Sequence, residues 1–93
     1  PMGLRDRAIL ETMYSAGLRV SEVVGLRDGD LDFQAGLLRV RGKGRRERFS
    51  PVGSYATAAL RRWLHVRKLH AKEPSGAEAP VFVNKFGRRL TSS

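Results

Sequence analysis

Glycine punctuation constrains this chain more than any other feature. Ile9, Leu10, Met13 and Tyr14 recur at three-to-four spacing, the stripe of a half-buried helix, and Gly17 follows directly after Ala16. A glycine enters the left-handed conformation without steric cost, so it ends the helix and reverses the chain just ahead of Arg19. Gln34-Ala35-Gly36 and Gly42-Lys43-Gly44-Arg45 are two further turns, set between segments in which polarity alternates. Those segments are Leu31-Asp32-Phe33, then Leu37 to Arg41 with Leu38 and Val40 on one face and Arg39 and Arg41 on the other, then Arg46 to Ser50, ended by Pro51. Gly53-Ser54 introduces a return to helical spacing from Tyr55 to Lys72. Ala56, Ala59, Leu60, Trp63, Leu64 and Val66 form its apolar side, and Arg61, Arg62, His65, Arg67, Lys68 and Lys72 line the other. This order predicts an α+β domain, with helices packed around a small three-stranded antiparallel sheet.

The remainder reads as connection. Lys72 to Pro80 is a loop by composition, Val81-Phe82-Val83-Asn84 a short apolar segment, and Lys85-Phe86-Gly87-Arg88-Arg89 a basic turn. Leu90-Thr91 has the form of an N-cap for a helix that would begin there, and Pro1-Met2-Gly3 is an unusual start, so residues 1–93 are read as one domain cut at both ends.

Charge narrows the partner. The formal net charge is +9, but residues 1 to 36 carry four basic and six acidic side chains, whereas residues 37 to 93 carry fourteen basic and three acidic. The excess therefore sits in the second hairpin and beyond it, where six basic residues (Arg39, Arg41, Lys43, Arg45, Arg46 and Arg48) stand against Glu47 on the predicted outward side and turn. A polyanion is the natural partner of such a surface. A membrane surface suits it less, because the cations lie on strands and turns and not on one face of a strongly amphipathic helix. Without cysteine there is neither a disulfide framework nor a thiolate metal site, and a cytoplasmic setting is expected.

Several polar clusters need a bland reading beside the sharp one. Asp28, Asp30 and Asp32 alternate like the first ligands of a calcium loop, yet the positions that need Gly and Glu hold Phe33 and Arg39. They are taken as solvated turn acids, and no metal site is expected. His65 and His70 stand among cations with no paired carboxylate and are taken as surface residues. Met13 and Tyr14 are taken as core. Arg19 is different: if Ser21 to Val24 forms a helical turn, the Glu22 carboxylate reaches back and holds its guanidinium still. A fixed guanidinium is what phosphate chemistry uses.

Gly17-Leu18-Arg19-Val20-Ser21-Glu22, Leu31-Asp32, Val40-Arg41-Gly42-Lys43-Gly44 and Glu47-Arg48, in this order, resemble the start of the catalytic domain of Xer-like tyrosine recombinases and phage integrases. Lys43 follows Arg19 by about two dozen positions, similar to the family's interval between its first catalytic Arg and its hairpin Lys. The resemblance implies an enzyme that breaks and rejoins double-stranded DNA at specific sites through a 3′-phosphotyrosyl link. It implies that Arg19 contacts the non-bridging oxygens, that Lys43 hands a proton to the departing 5′ oxygen, and that Glu22 orients Arg19. Arg41, Arg45, Arg46 and Arg48 are then expected on the DNA backbone. No cofactor is implied. The family's His-x-x-Arg segment, its further His or Trp and its late Tyr do not occur within these residues, and Tyr55, at a helix start, does not replace the last. Residues 1–93 alone are therefore expected to be inactive and monomeric, with the full-length parent a tetramer on DNA. One rival is a non-catalytic basic module that only grips DNA. Another is an RNA-binding domain, against which counts the expected lack of exposed aromatics on the sheet.

Overall fold

In the computed structural model, residues 2–42, 44, 46–70 and 76–90 are described, without the side chains of residues 2, 69 and 70. Lys43, Arg45 and Lys72 lie outside them.

Helix α1, Met2–Ala16, buries a different face from the one its large apolar residues suggest. Ala8 and Thr12 are fully buried, Ile9 and Met13 are half-buried, and Leu10 and Tyr14 point to solvent, Tyr14 being 92% exposed. Small side chains explain the rotation. Ala8 and Thr12 let α1 approach the long helix α3, Ser54–His70, whose own buried stripe begins with Ala56 and Ala59. The reading of Tyr14 as core is thus corrected.

Gly17 takes φ +67°, and Leu18 donates its N–H to the Met13 carbonyl at 3.1 Å, so the chain turns where glycine permits it. Leu18 drops into the core, Arg19 stays exposed, and the single-turn helix α2, Val20–Val24, inserts Val23. A short 3-10 turn, Asp28–Asp30, then leads into the sheet. Strands β1 (Leu31–Asp32), β2 (Leu37–Arg41) and β3 (Glu47–Pro51) pair antiparallel in that order. β2 forms as expected, with Leu38 and Val40 fully buried. In β3 the register pairs Leu38 with Ser50 and Val40 with Arg48, so Ser50 and Arg48 share the inner face, while Glu47 and Phe49 take the outer one. Phe49 is 66% exposed, which contradicts the expectation that the sheet shows no aromatic ring to solvent.

The segment after the loop is more than a connection. Ala77 to Val81 runs back along Leu26 to Gly29: Asp28 and Gly29 donate to the Ala79 and Ala77 carbonyls at 2.9 Å, and Val81 donates to the Leu26 carbonyl at 3.0 Å. A Cβ at position 29 would lie 3.0 Å from that of Ala77, tighter than an ordinary contact, so a larger residue there would push the two segments apart by a few tenths of an ångström. Val81 and Phe82 thereby plug the core, and the buried Trp63 of α3 donates its Nε1–H to the Val81 carbonyl at 2.7 Å. Beyond them Asn84 closes a tight turn, its Oδ1 accepting from the N–H groups of Phe86 and Arg88 at 2.9 and 3.1 Å, and leaves Lys85, Arg88 and Arg89 exposed. No helix among the described residues is long and apolar enough to cross a membrane.

Candidate nucleic-acid interface and phosphate site

Arg19 occupies the corner between Gly17 and α2 with an extended backbone, and its carbonyl accepts the N–H groups of Glu22 and Val23 at 3.0 Å. Glu22 does reach back, but its Oε1 accepts the Arg19 main-chain N–H, at 2.8 Å. The expected grip on the Arg19 guanidinium is therefore replaced by a grip on its backbone. Among the described residues no side chain accepts from that guanidinium. It stays exposed, on a main chain that is fixed.

The guanidinium that Glu22 does hold is that of Arg48 on β3. Arg48 Nη1 donates to Oε2 at 2.6 Å and Nη2 to Oε1 at 3.2 Å. This fork and the Arg19 N–H favour the charged carboxylate more than its burial opposes it, and lower the Glu22 pKa to about 2. The same contact raises the pKa of Arg48. A strand residue on the inner face thus closes onto the helix corner that carries Arg19.

The outer face of β2 is gripped in the same way. Asp30, with 1% of its side chain exposed, accepts from Arg39 Nε at 3.1 Å, from Arg41 Nη1 at 2.9 Å and from the Arg27 N–H at 2.9 Å. Asp28 receives both Nη groups of Arg67 at 2.7 Å, and Arg67 also donates to the Pro80 carbonyl. These two acids are arginine partners and not the solvated turn acids that their spacing suggested; Asp32 is exposed and accepts the Ala35 N–H. Arg67 leaves the solvated row of α3 for the same reason.

Of the residues expected on DNA, Arg46 is exposed, Arg41 and Arg48 are engaged by acids, and Arg45 lies outside the described residues, as does Lys43. Further exposed cations are Arg61, Arg62 and Lys68 on α3 and Lys85, Arg88 and Arg89 on the last turn. His65 is exposed, as expected. Sequence reasoning missed the roles of Asp30 and Arg48. A signal for the second existed in the alternation of β3, which places residue 48 in phase with Ser50.

Comparison with known proteins agrees with this architecture. The phage integrase family matches over residues 1–93. The chain is 54% identical over 92 residues to the tyrosine recombinase XerC of Xylella fastidiosa (strain 9a5c), an alignment covering 99% of this chain and 29% of that protein. It is 60% identical over 93 residues to the tyrosine recombinase XerC of Xanthomonas axonopodis pv. citri (strain 306), covering 98% of this chain and 28% of that one. Among solved structures, the XerA recombinase superposes with a TM-score of 0.80 at 26% identity, over 97% of this chain and 32% of its own. The XerH site-specific recombinase, bound to its difH substrate in a pre-cleavage complex, superposes with a TM-score of 0.74 at 25% identity, over 95% and 25%. The chain thus spans less than a third of the relatives it matches, but the match runs its whole length: it belongs to the phage integrase family.

Proposed function

We propose that this chain is the first part of the catalytic domain of a site-specific tyrosine recombinase, acting on duplex DNA through a 3′-phosphotyrosyl intermediate. Arg19 neutralises the non-bridging oxygens of the scissile phosphate, and Lys43, between Gly42 and Gly44 at the end of β2, protonates the departing 5′ oxygen. Glu22 orients the corner that bears Arg19. Arg45 and Arg46 contact the backbone of the duplex, and their contribution weakens with salt.

One observation supports this reading above the rest: a single carboxylate, Glu22, bonds both to the backbone of Arg19 and to the strand that returns from the Lys43 hairpin. The corner that bears Arg19 and the strand that follows Lys43 in the sequence are thereby tied to one anchor. The nucleophilic tyrosine belongs to a part of the recombinase outside residues 1–93, so these residues alone bind DNA without cleaving it. The whole recombinase works in the cytoplasm as a tetramer on its site, and this segment alone is a monomer.

The test replaces the aligned segment of the Xylella fastidiosa XerC with residues 2–90 of this chain and follows covalent protein–DNA formation on a duplex carrying that recombinase's site. Arg19→Ala and Lys43→Ala each abolish the covalent product and leave duplex affinity within about threefold, since their interactions belong to the transition state. A chimera that cleaves as well without Arg19 refutes the assignment.

A further inference from the structure

We propose that Arg48 is a positioning residue and not a phosphate ligand: its guanidinium latches the returning strand of the hairpin to the Arg19 corner through Glu22. The inference rests on the proposed function for its meaning in catalysis, but its geometry stands alone.

Three observations carry it. The β2–β3 register sets Arg48 opposite Val40, which is fully buried, so the side chain leaves the strand on the inner face toward α2 and away from the outer face that carries Phe49. Both Nη groups are then used on one carboxylate, at 2.6 and 3.2 Å. That carboxylate is 11% exposed and also holds the N–H of Arg19, at 2.8 Å. A guanidinium committed end-on in a fork to a carboxylate has that donor edge occupied and its plane oriented by the acid, and a phosphate would have to displace the acid to take the same edge. Arg41 shows the complementary arrangement on the other face, where the buried Asp30 takes its Nη1. The hairpin is held at both strands, β2 by Asp30 and β3 by Glu22, and both acids come from the segment between Arg19 and β1.

In mechanical terms, the tip residue of a hairpin moves most where its base is free. Anchoring residues 41 and 48 fixes the strand residues on both sides of the segment that contains Lys43, and the anchor on the β3 side also holds the N–H of Arg19. Arg48 therefore sets the relation between the two groups without touching the DNA.

The experiment has two arms. On the chain itself, duplex affinity is measured across a salt series for the native protein, Arg48→Gln and Arg46→Gln, and the Glu22 carboxylate is titrated by NMR in the native protein and in Arg48→Gln. The latch requires that Arg48→Gln leave the salt slope unchanged and move the Glu22 midpoint up toward the ordinary value of 4.5 from about 2. Arg46→Gln, the exposed control, lowers the slope by about one unit. In the XerC chimera, Glu22→Gln and Arg48→Gln each slow single-turnover cleavage at saturating DNA by about tenfold or more, and the double variant is no slower than the worse single one. A salt slope that falls by about one unit in Arg48→Gln, with the Glu22 midpoint unmoved, overturns the proposal. So does a double variant whose losses multiply. A native chimera that binds but does not cleave defeats the enzymatic reading, and the first arm still decides the latch.

Discussion

Asp30→Asn is the substitution that most directly tests how the hairpin is anchored. The carboxylate has 1% of its side chain exposed and faces two arginines, whose side chains are 37% and 32% exposed. Removing one partner from a fully buried ion pair costs about 3–5 kcal/mol, because the other charge is left without solvent or counterion. Here the cost is smaller. Arg39 and Arg41 each keep a path to water, and an asparagine oxygen can still accept the Arg27 N–H, so a loss of about 2 kcal/mol is expected. At roughly 2.1 cal/mol/K of unfolding entropy per residue, a domain of this size loses about 10 °C of Tm for that change. Circular dichroism melts of the native chain, Asp30→Asn and the exposed control Asp32→Asn measure it, with Asp32→Asn expected to stay within about 0.5 kcal/mol. A melting point for Asp30→Asn within about 2 °C of the native value would show that the two arginines do not depend on this carboxylate, and the account of the hairpin's base would fail.

Two other outcomes follow from the same contacts. Trp63→Phe leaves the buried Val81 carbonyl without its 2.7 Å donor and opens space in the core, so a loss of about 2–3 kcal/mol in urea unfolding is expected; an unchanged midpoint would mean that the bond contributes nothing to the plug. For Glu22 the sign follows from its folded pKa of about 2, below the ordinary 4.5: its contribution is complete above pH 4.5 and is lost as pH falls toward 2. The stability difference between the native chain and Glu22→Gln should accordingly be constant near neutrality and shrink across that window; a difference that grows on acidification would reverse the assignment.

The sequence alone determined the order of elements and their periods. Gly17 had to end α1, because no other residue turns left-handed there cheaply, and the alternation of Leu37 to Arg41 required a strand with Leu38 and Val40 inside. The run from Gly17 to Glu22, Leu31-Asp32, the Gly-Lys-Gly turn and Glu47-Arg48, in that order, were enough to place the chain in its family. These are local properties, written in backbone preference and side-chain spacing. Which face of α1 is buried was decided elsewhere, by the close packing that Ala8 and Thr12 allow against α3, and periodicity counts only where large apolar residues lie. Partner choice among the charges was also a tertiary matter. Asp30 with Arg41, Asp28 with Arg67 and Glu22 with Arg48 are separated by 11, 39 and 26 positions, and nothing in a charge pattern says which guanidinium a carboxylate will meet once the chain has closed. That physical fact gave Arg41 and Arg48, both expected on DNA, carboxylate partners within the fold.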